Sequence, residues 1–222
     1  MNEEFSELKK SALKTGTSIV GIVCRDGIVL AGDRQVTGGG YIVMNKRYPK
    51  IVQINNYLLA GVAGLLSDAQ LIAKLTKAEL RLKELKSKQR PSVKEGANLF
   101  TNLIYQNIRK LSPIPGIVAG IVAGFDEDDS TKLFSIDPAG AIYEVEDYVA
   151  DGSGMPYILG VLERRYKETM TVKEAVDLAI ECIKASTQRD TGSGFGIDVF
   201  TVTKDGIKQV AKQKIEAVYK EQ

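Results

Sequence analysis

The sequence predicts an α+β fold in which two mostly antiparallel sheets stack on each other and each carries helices on its outer face, an α-β-β-α sandwich of four layers. Three observations predict it. The blocks run strands, two helices, strands, two helices, strands, rather than alternating βαβ units. Three Ser/Thr-x-x-Glu/Gln pairs open helical stretches. Short turns such as Asp26-Gly27 join neighbouring apolar, β-branched runs, which pairs those runs as hairpins.

Ser18 to Cys24 and Ile28 to Asp33 read as the first hairpin, and Lys50 to Ile54 with Tyr57 to Gly64, turning at Asn55-Asn56, as a second. Ser67 with Gln70 predicts a capped helix to about Lys88, along which Leu71, Leu75, Leu82 and Leu85 recur at helical spacing. Pro91 breaks the chain. Ser92 with Glu95 opens a further helix whose apolar stripe is Leu99, Leu103, Ile104, Ile108 and Leu111. Strands return at Ile117 to Phe125, Leu133 to Ile136 and, after a turn at Asp137-Pro138-Ala139-Gly140, Ala141 to Val145. Pro156 to Lys167 reads as helix, and Thr171 with Glu174 caps another through Ala175, Leu178, Ala179, Cys182 and Ile183 toward Gln188. Ile197 to Thr203 and Ile207 to Val210 close the fold as a hairpin.

Composition removes several function classes. The 222 residues are 44% hydrophobic, which suits one domain with a full core. A formal net charge of +2 with neither sign segregated leaves no footprint for nucleic acid or an anionic membrane. The polar run Met1 to Lys14 lacks the apolar stretch of an export signal. Gly116 to Phe125, the longest apolar run, is about half of a membrane-spanning helix. Cys24 and Cys182 lie far apart in apolar contexts, as buried reduced thiols of a cytoplasmic protein do.

There is no histidine anywhere in the chain, which excludes a Ser-His-Asp triad, a Cys-His dyad and every histidine-ligated zinc site. A base must come from elsewhere. An N-terminal α-amine, with an unperturbed pKa of about 7.7 to 8.0, can accept a hydroxyl proton near neutrality, whereas lysine starts near about 10.4 and serves better as a nearby positive charge. Thr17 follows Gly16 at the mouth of the first strand. Cleavage between them would place a free amine beside the threonine's own hydroxyl, and glycine, lacking Cβ, lets that hydroxyl approach the preceding carbonyl. Taken singly the dipeptide is an ordinary strand start.

The surrounding residues add to it. Thr17-Ser18-Ile19-Val20-Gly21 and Asp26-Gly27-Ile28-Val29-Leu30-Ala31-Gly32-Asp33-Arg34 are followed by Ala63-Gly64, Asp68-Ala69-Gln70, and Ser135-Ile136-Asp137-Pro138-Ala139-Gly140. Gly152-Ser153-Gly154, Gly160-Val161-Leu162-Glu163 with Tyr166, and Arg189-Asp190-Thr191-Gly192-Ser193-Gly194 complete the series. In this order, from about Gly16 to Val210, the chain resembles archaeal-type proteasome β subunits, threonine hydrolases of the N-terminal nucleophile fold. The resemblance implies residues 1–16 as a propeptide removed at the Gly16-Thr17 bond, 17–210 as the catalytic domain and 211–222 as a polar tail. Thr17 would be the nucleophile, Asp33 and Lys50 its neighbours, and Ser153, Asp190 and Ser193 the group around the α-amine. The NH of Gly64 would hold the oxyanion, and Val36 and Val62 would line a pocket favouring an apolar side chain.

Departures lie between Thr37 and Lys50, where the run Gly38-Gly39-Gly40 and an apparent extra residue leave Lys46 as a second candidate for the lysine. Pro49 before Lys50, and Met155 where a serine is common, also depart from the family's pattern.

The implied product is a threonine endopeptidase without cofactor or metal, built into stacked heptameric rings with α-type and other β-type subunits, fed unfolded polypeptide by an ATPase partner. A structural or conditionally active β-type ring subunit is the main alternative. An α-type subunit fits less well, because those carry an extra N-terminal helix and no catalytic threonine. The bacterial two-ring threonine peptidase, with similar Ala-Gly-Asp and Gln-Val-Thr segments, is generally shorter.

Overall fold

The computed structural model describes residues 16–40 and 42–214; the segment expected as propeptide otherwise lies outside them, as does the tail beyond Lys214. One five-stranded sheet contains β1 (Ile19–Cys24), β2 (Gly27–Asp33), β10 (Tyr148–Asp151), β11 (Gly196–Thr203) and β12 (Gly206–Lys214), in the order β10-β1-β2-β11-β12. The other contains β5 (Ile51–Gln53), β6 (Leu58–Gly64), β7 (Val118–Phe125), β8 (Thr131–Ile136) and β9 (Ile142–Glu144) in sequential order. Each adjacent pair in both sheets is antiparallel. A short ribbon, β3 (Val36–Gly38) with β4 (Ile42–Asn45), stands apart from both.

Helices α1 (Leu66–Ser87) and α2 (Val93–Ile108) cover the second sheet, and α3 (Met155–Arg165) and α4 (Val172–Thr187) the first. The apolar residues divide accordingly into three layers. Phe100, Ile72, Leu58 and Val122 fill the space under α1 and α2. Ile22, Val29, Ile158 and Cys182 fill that under α3 and α4, and Ile19, Leu30, Leu59 and Ile121 join the two sheets. Period-2 alternation explains how β1 feeds two layers, since Val20 and Ile22 face the helices while Ile19 faces the other sheet. The predicted α-β-β-α sandwich is the observed one.

Local chemistry places the helix starts, with one exception. Ser92 and Thr171 form complete capping boxes with Glu95 and Glu174. Ser67 does not cap. Leu65 donates its N–H to the Ile117 carbonyl as the sheet pairing ends, and α1 begins at once, leaving Ser67 inside the first turn with its hydroxyl on Asp68. The leucines read along α1 also turn outward: Leu71, Leu75, Leu82 and Leu85 are exposed, and Ala69, Ile72, Ala73, Thr76 and Leu80 pack inward. On α2 the inward face is Val93, Ala97, Phe100 and Ile104, with Leu99 and Leu103 at its margin and Leu111 past the helix end and exposed.

Three strands escaped the sequence reading. Both residues of Gly39-Gly40 have positive φ and form the turn of the β3-β4 ribbon, and all four residues of β4 are exposed, so no burial alternation marks it. β10 has only four residues. β12 continues to Lys214, past Val210 where the domain was expected to end.

Candidate functional site

The ends of several strands meet at one edge of the sandwich. Thr17 and Ser18 lead into β1, and Asp33 ends β2 directly beside them, with its N–H donated to the Ser18 carbonyl at 3.0 Å. Because β1 also pairs with β10, the turn Gly152-Ser153-Gly154 arrives at the same place, and the Gly154 N–H donates to the Thr17 carbonyl at 3.1 Å. The connection from α4 to β11 brings Asp190 and Ser193, and the segment before β5 brings Lys50 from the second sheet.

Lys50 Nζ donates to Thr17 Oγ1 and to the Gly16 carbonyl, both at 2.8 Å. The Thr17 hydroxyl itself donates to that carbonyl at 2.6 Å. One ammonium therefore touches both the nucleophile candidate and the carbonyl of the bond expected to break. Asp33 Oδ1 stands 3.7 Å from Lys50 Nζ, and the carboxylate accepts three backbone N–H groups, from Ser18, Gln35 and Gly194. Burial pushes the Asp33 carboxyl up, against Lys50 and those three donors. Burial likewise pulls the Lys50 ammonium down, with Asp33 opposing. Lys46, the other candidate, lies 4.8 Å over the Phe195 ring instead.

On the other side of Thr17 a hydroxyl-carboxylate chain surrounds its nitrogen. The Thr17 N–H donates to Ser153 Oγ at 3.1 Å; Ser153 Oγ and Ser193 Oγ each donate to Asp190 Oδ2 at 2.6 Å. Ser18 Oγ lies 2.7 Å from Ser193 Oγ and closes the chain. The structure thus brings Thr17, Asp33, Lys50, Ser153, Asp190 and Ser193 together. Gly16 packs against the backbone of Gly192, where a Cβ would have no room.

A cavity of about 40 Å³ opens beside Thr17 and Lys50, lined by Val36, Tyr48, Val62, Leu66 and Ala69, with Gly64 on its wall. Gly64 has φ +115°, and the Ile117 carbonyl occupies the place a Cβ would take, so the position requires glycine. A larger cavity of about 1020 Å³ lies between the β5–β6 turn and α1 and shares no lining residue with this one.

Sequence reading missed Ser18, Gln35 and Thr37. Buried Gln35 donates its side-chain amide to Thr37 Oγ1 at 2.9 Å and to the Thr191 carbonyl at 2.8 Å, joining the β3 entrance to the Asp190 segment. The signal was faint: Asp33, Gln35 and Thr37 are polar at every second position, but the charged Arg34 among them breaks the alternation of one polar face.

A four-layer sandwich of antiparallel sheets with a threonine at the mouth of its first strand, met by a lysine and a carboxylate, is the N-terminal nucleophile hydrolase fold. Residues 13–202 match the family model of the proteasome subunit, and the chain belongs to that family. It is 42% identical over 194 residues to the proteasome subunit beta of Nanoarchaeum equitans, covering 87% of this chain and 96% of that one. The proteasome subunit beta of Methanopyrus kandleri is 38% identical over 92% of this chain and 95% of its own. Proteasome subunit beta 2 of Aeropyrum pernix is 36% identical over 91% of this chain and 89% of its own.

Proposed function

We propose that this chain is a threonine endopeptidase subunit of the proteasome core, which frees its own nucleophile by cutting the Gly16-Thr17 bond. The observation that carries the reading is the Lys50 ammonium, 2.8 Å from both Thr17 Oγ1 and the Gly16 carbonyl oxygen. A positive charge there favours the alkoxide-like form of the hydroxyl and polarises the carbonyl it attacks.

In the precursor, Thr17 Oγ adds to the Gly16 carbonyl carbon and gives up its proton through water. Collapse of the adduct breaks the Gly16-Thr17 C–N bond, and the departing nitrogen takes up a proton, leaving Gly16 as an ester on Thr17 Oγ. Water then hydrolyses the ester, releasing the Gly16 carboxylate and restoring the hydroxyl beside a free α-amine. In the mature chain that amine takes the hydroxyl proton, the substrate acyl group is transferred to Oγ as the amine product leaves, and water completes the cycle. Ser153, Asp190 and Ser193 already surround the nitrogen that becomes the amine and orient it. Gly64 supplies the oxyanion donor, and Val36 and Val62 favour an apolar side chain before the scissile bond.

The subunit works within stacked rings with α-type and other β-type subunits, on unfolded polypeptide delivered by an ATPase partner, in the cytoplasm. No helix among the described residues is long and apolar enough to cross a membrane. The test is intact mass and N-terminal residue after coassembly with the α-type subunit, beside the Thr17→Ala variant. A chain starting at Thr17, absent from the variant, together with Thr17-dependent peptide hydrolysis, is the expected result. An assembled wild-type chain that keeps residues 1–16 overturns it in favour of a structural subunit.

A further inference from the structure

We propose that Arg34 and Asp198 are positioning residues that hold Lys50 against Thr17, acting through the loop between β4 and β5. The inference rests on the peptidase reading above. Neither side chain has a hydrogen bond or ion pair to Thr17 or Lys50 among the described residues. Arg34 does meet the segment that delivers the lysine, and Asp198 meets Arg34.

Arg34 follows β2 and lies 8% exposed in its side chain; Asp198, on β11, lies 2% exposed. Their closest atoms, Arg34 Nε and Asp198 Oδ2, are 3.2 Å apart, and neither has a well-aligned hydrogen bond, so each is compensated by the other's charge. Gln209 donates to the second carboxylate oxygen, Oδ1, at 3.0 Å and fixes the orientation of Asp198. Burial pushes the Asp198 carboxyl up, and Arg34 is the first of the groups opposing it. Asp33, Arg34, Lys50 and Asp198 are the buried charged residues of the described chain. The mechanism uses the first and third, and has no use for a second buried pair.

The remaining reach of Arg34 explains that pair. Its Nη2 donates to the Arg47 carbonyl at 3.0 Å, and its own carbonyl accepts the Tyr48 N–H at 3.0 Å. One residue therefore grips both ends of a single peptide of the loop, the one between Arg47 and Tyr48. Lys46, just before them, lies over Phe195, whose φ of +58° is an unusual backbone state for an aromatic residue and sits two residues from the start of the Ile197–Asp33 pairing. Pro49 fixes φ at the next step. Past it, the Lys50 carbonyl accepts the Val62 N–H at 3.0 Å. Lys50 is thus held from β6 on one side and from β2 and β11, through Arg34, on the other. Loss of the Nη2 bond removes the side-chain half of that second hold and loosens the loop and, with it, the direction in which Nζ points. Lysine at position 34 would reach Asp198 or the Arg47 carbonyl, without the fork that serves both.

Two variants test this in particles coassembled with the α-type subunit. Arg34→Lys keeps a charge for Asp198. The pair Arg34→Met with Asp198→Leu removes both charges, so no buried ion is left unpaired. In both, assembly is expected to be retained, Thr17-dependent kcat to fall about tenfold with KM within about twofold, and removal of residues 1–16 to slow in parallel. Unchanged kcat in either variant overturns the proposal. So does failure of both to assemble, or a loss residing in KM, since each assigns the pair to stability or substrate binding instead. Thr17→Ala separates the two readings. If it keeps full activity the peptidase assignment fails, whereas an inactive Thr17→Ala beside fully active Arg34 variants rejects positioning alone.

Discussion

The two sheets share strand number, antiparallel pairing and a helical cover, yet they bury different chemistry. Under α1 and α2 the second sheet packs through Leu58, Phe100, Ile104 and Val122, and the buried polar groups nearby are isolated: Thr76 and Thr101 bond their own helix, and Asn107 the Gly116 carbonyl. At one edge of the first sheet lie Ser18, Asp33, Arg34, Gln35, Ser193 and Asp198, connected to each other and joined from the second sheet by Lys50. Buried charge is expensive unless paired and hydrogen-bonded. Its concentration at one edge teaches that one half of the molecule supplies stability by area, while the other spends part of that stability on an electrostatic arrangement.

The sharpest way to break that division is Lys50→Ala. Asp33 loses its ion pair but keeps its three backbone donors, so the chain still folds with lowered stability, while self-cleavage and peptide turnover fall by about a thousandfold, the scale of losing a preorganised charge. Intact mass and initial rates read the two effects; a variant that still matures normally places the chemistry elsewhere. Phe100→Ala is the converse. It opens a cavity in the apolar half and costs about 3–5 kcal/mol in denaturant unfolding. The fraction that assembles keeps wild-type kcat, and a large fall in kcat would show that the halves are coupled.

The smallest effect concerns the thiols. Burial pushes Cys24 and Cys182 up to about 12, so both stay protonated and unreactive through neutral pH. An alkylating reagent at about pH 8 is expected to leave native protein unmodified and to label both cysteines after unfolding, where the thiol titrates near about 8.5. Rapid labelling of Cys182 in native protein would show that α3 and α4 open over the first sheet.

Much of this was legible one element at a time. Arg25-Asp26 turns the β1–β2 hairpin, one residue ahead of the Asp26-Gly27 pair that signalled it, with Cys24 opposite Gly27, and the boxes at Ser92 and Thr171 start α2 and α4. These features depend on residues within a few positions of one another. The reading failed where distant chain decides: pairing with Ile117 starts α1 ahead of Ser67, and the exposed β4 carries no alternation to read. At the site, the Gly16-Thr17 bond and the absence of histidine could be read directly, but Gln35 and Thr37, which bond each other, acquire their long-range partners only when the Asp190 segment arrives from about 155 residues away.

The amino-acid sequence by itself determined the sandwich, through the period and order of its apolar runs, and confined any base to groups other than imidazole. Tertiary structure alone decided which of Lys50 and Lys46 stands beside Thr17. They stand four residues apart, both followed by ordinary chain, and no local preference tells them apart. Arg34, Asp198 and Phe195, from β11 and the end of β2, hold the loop so that one lysine stacks on an aromatic ring and the other reaches Thr17.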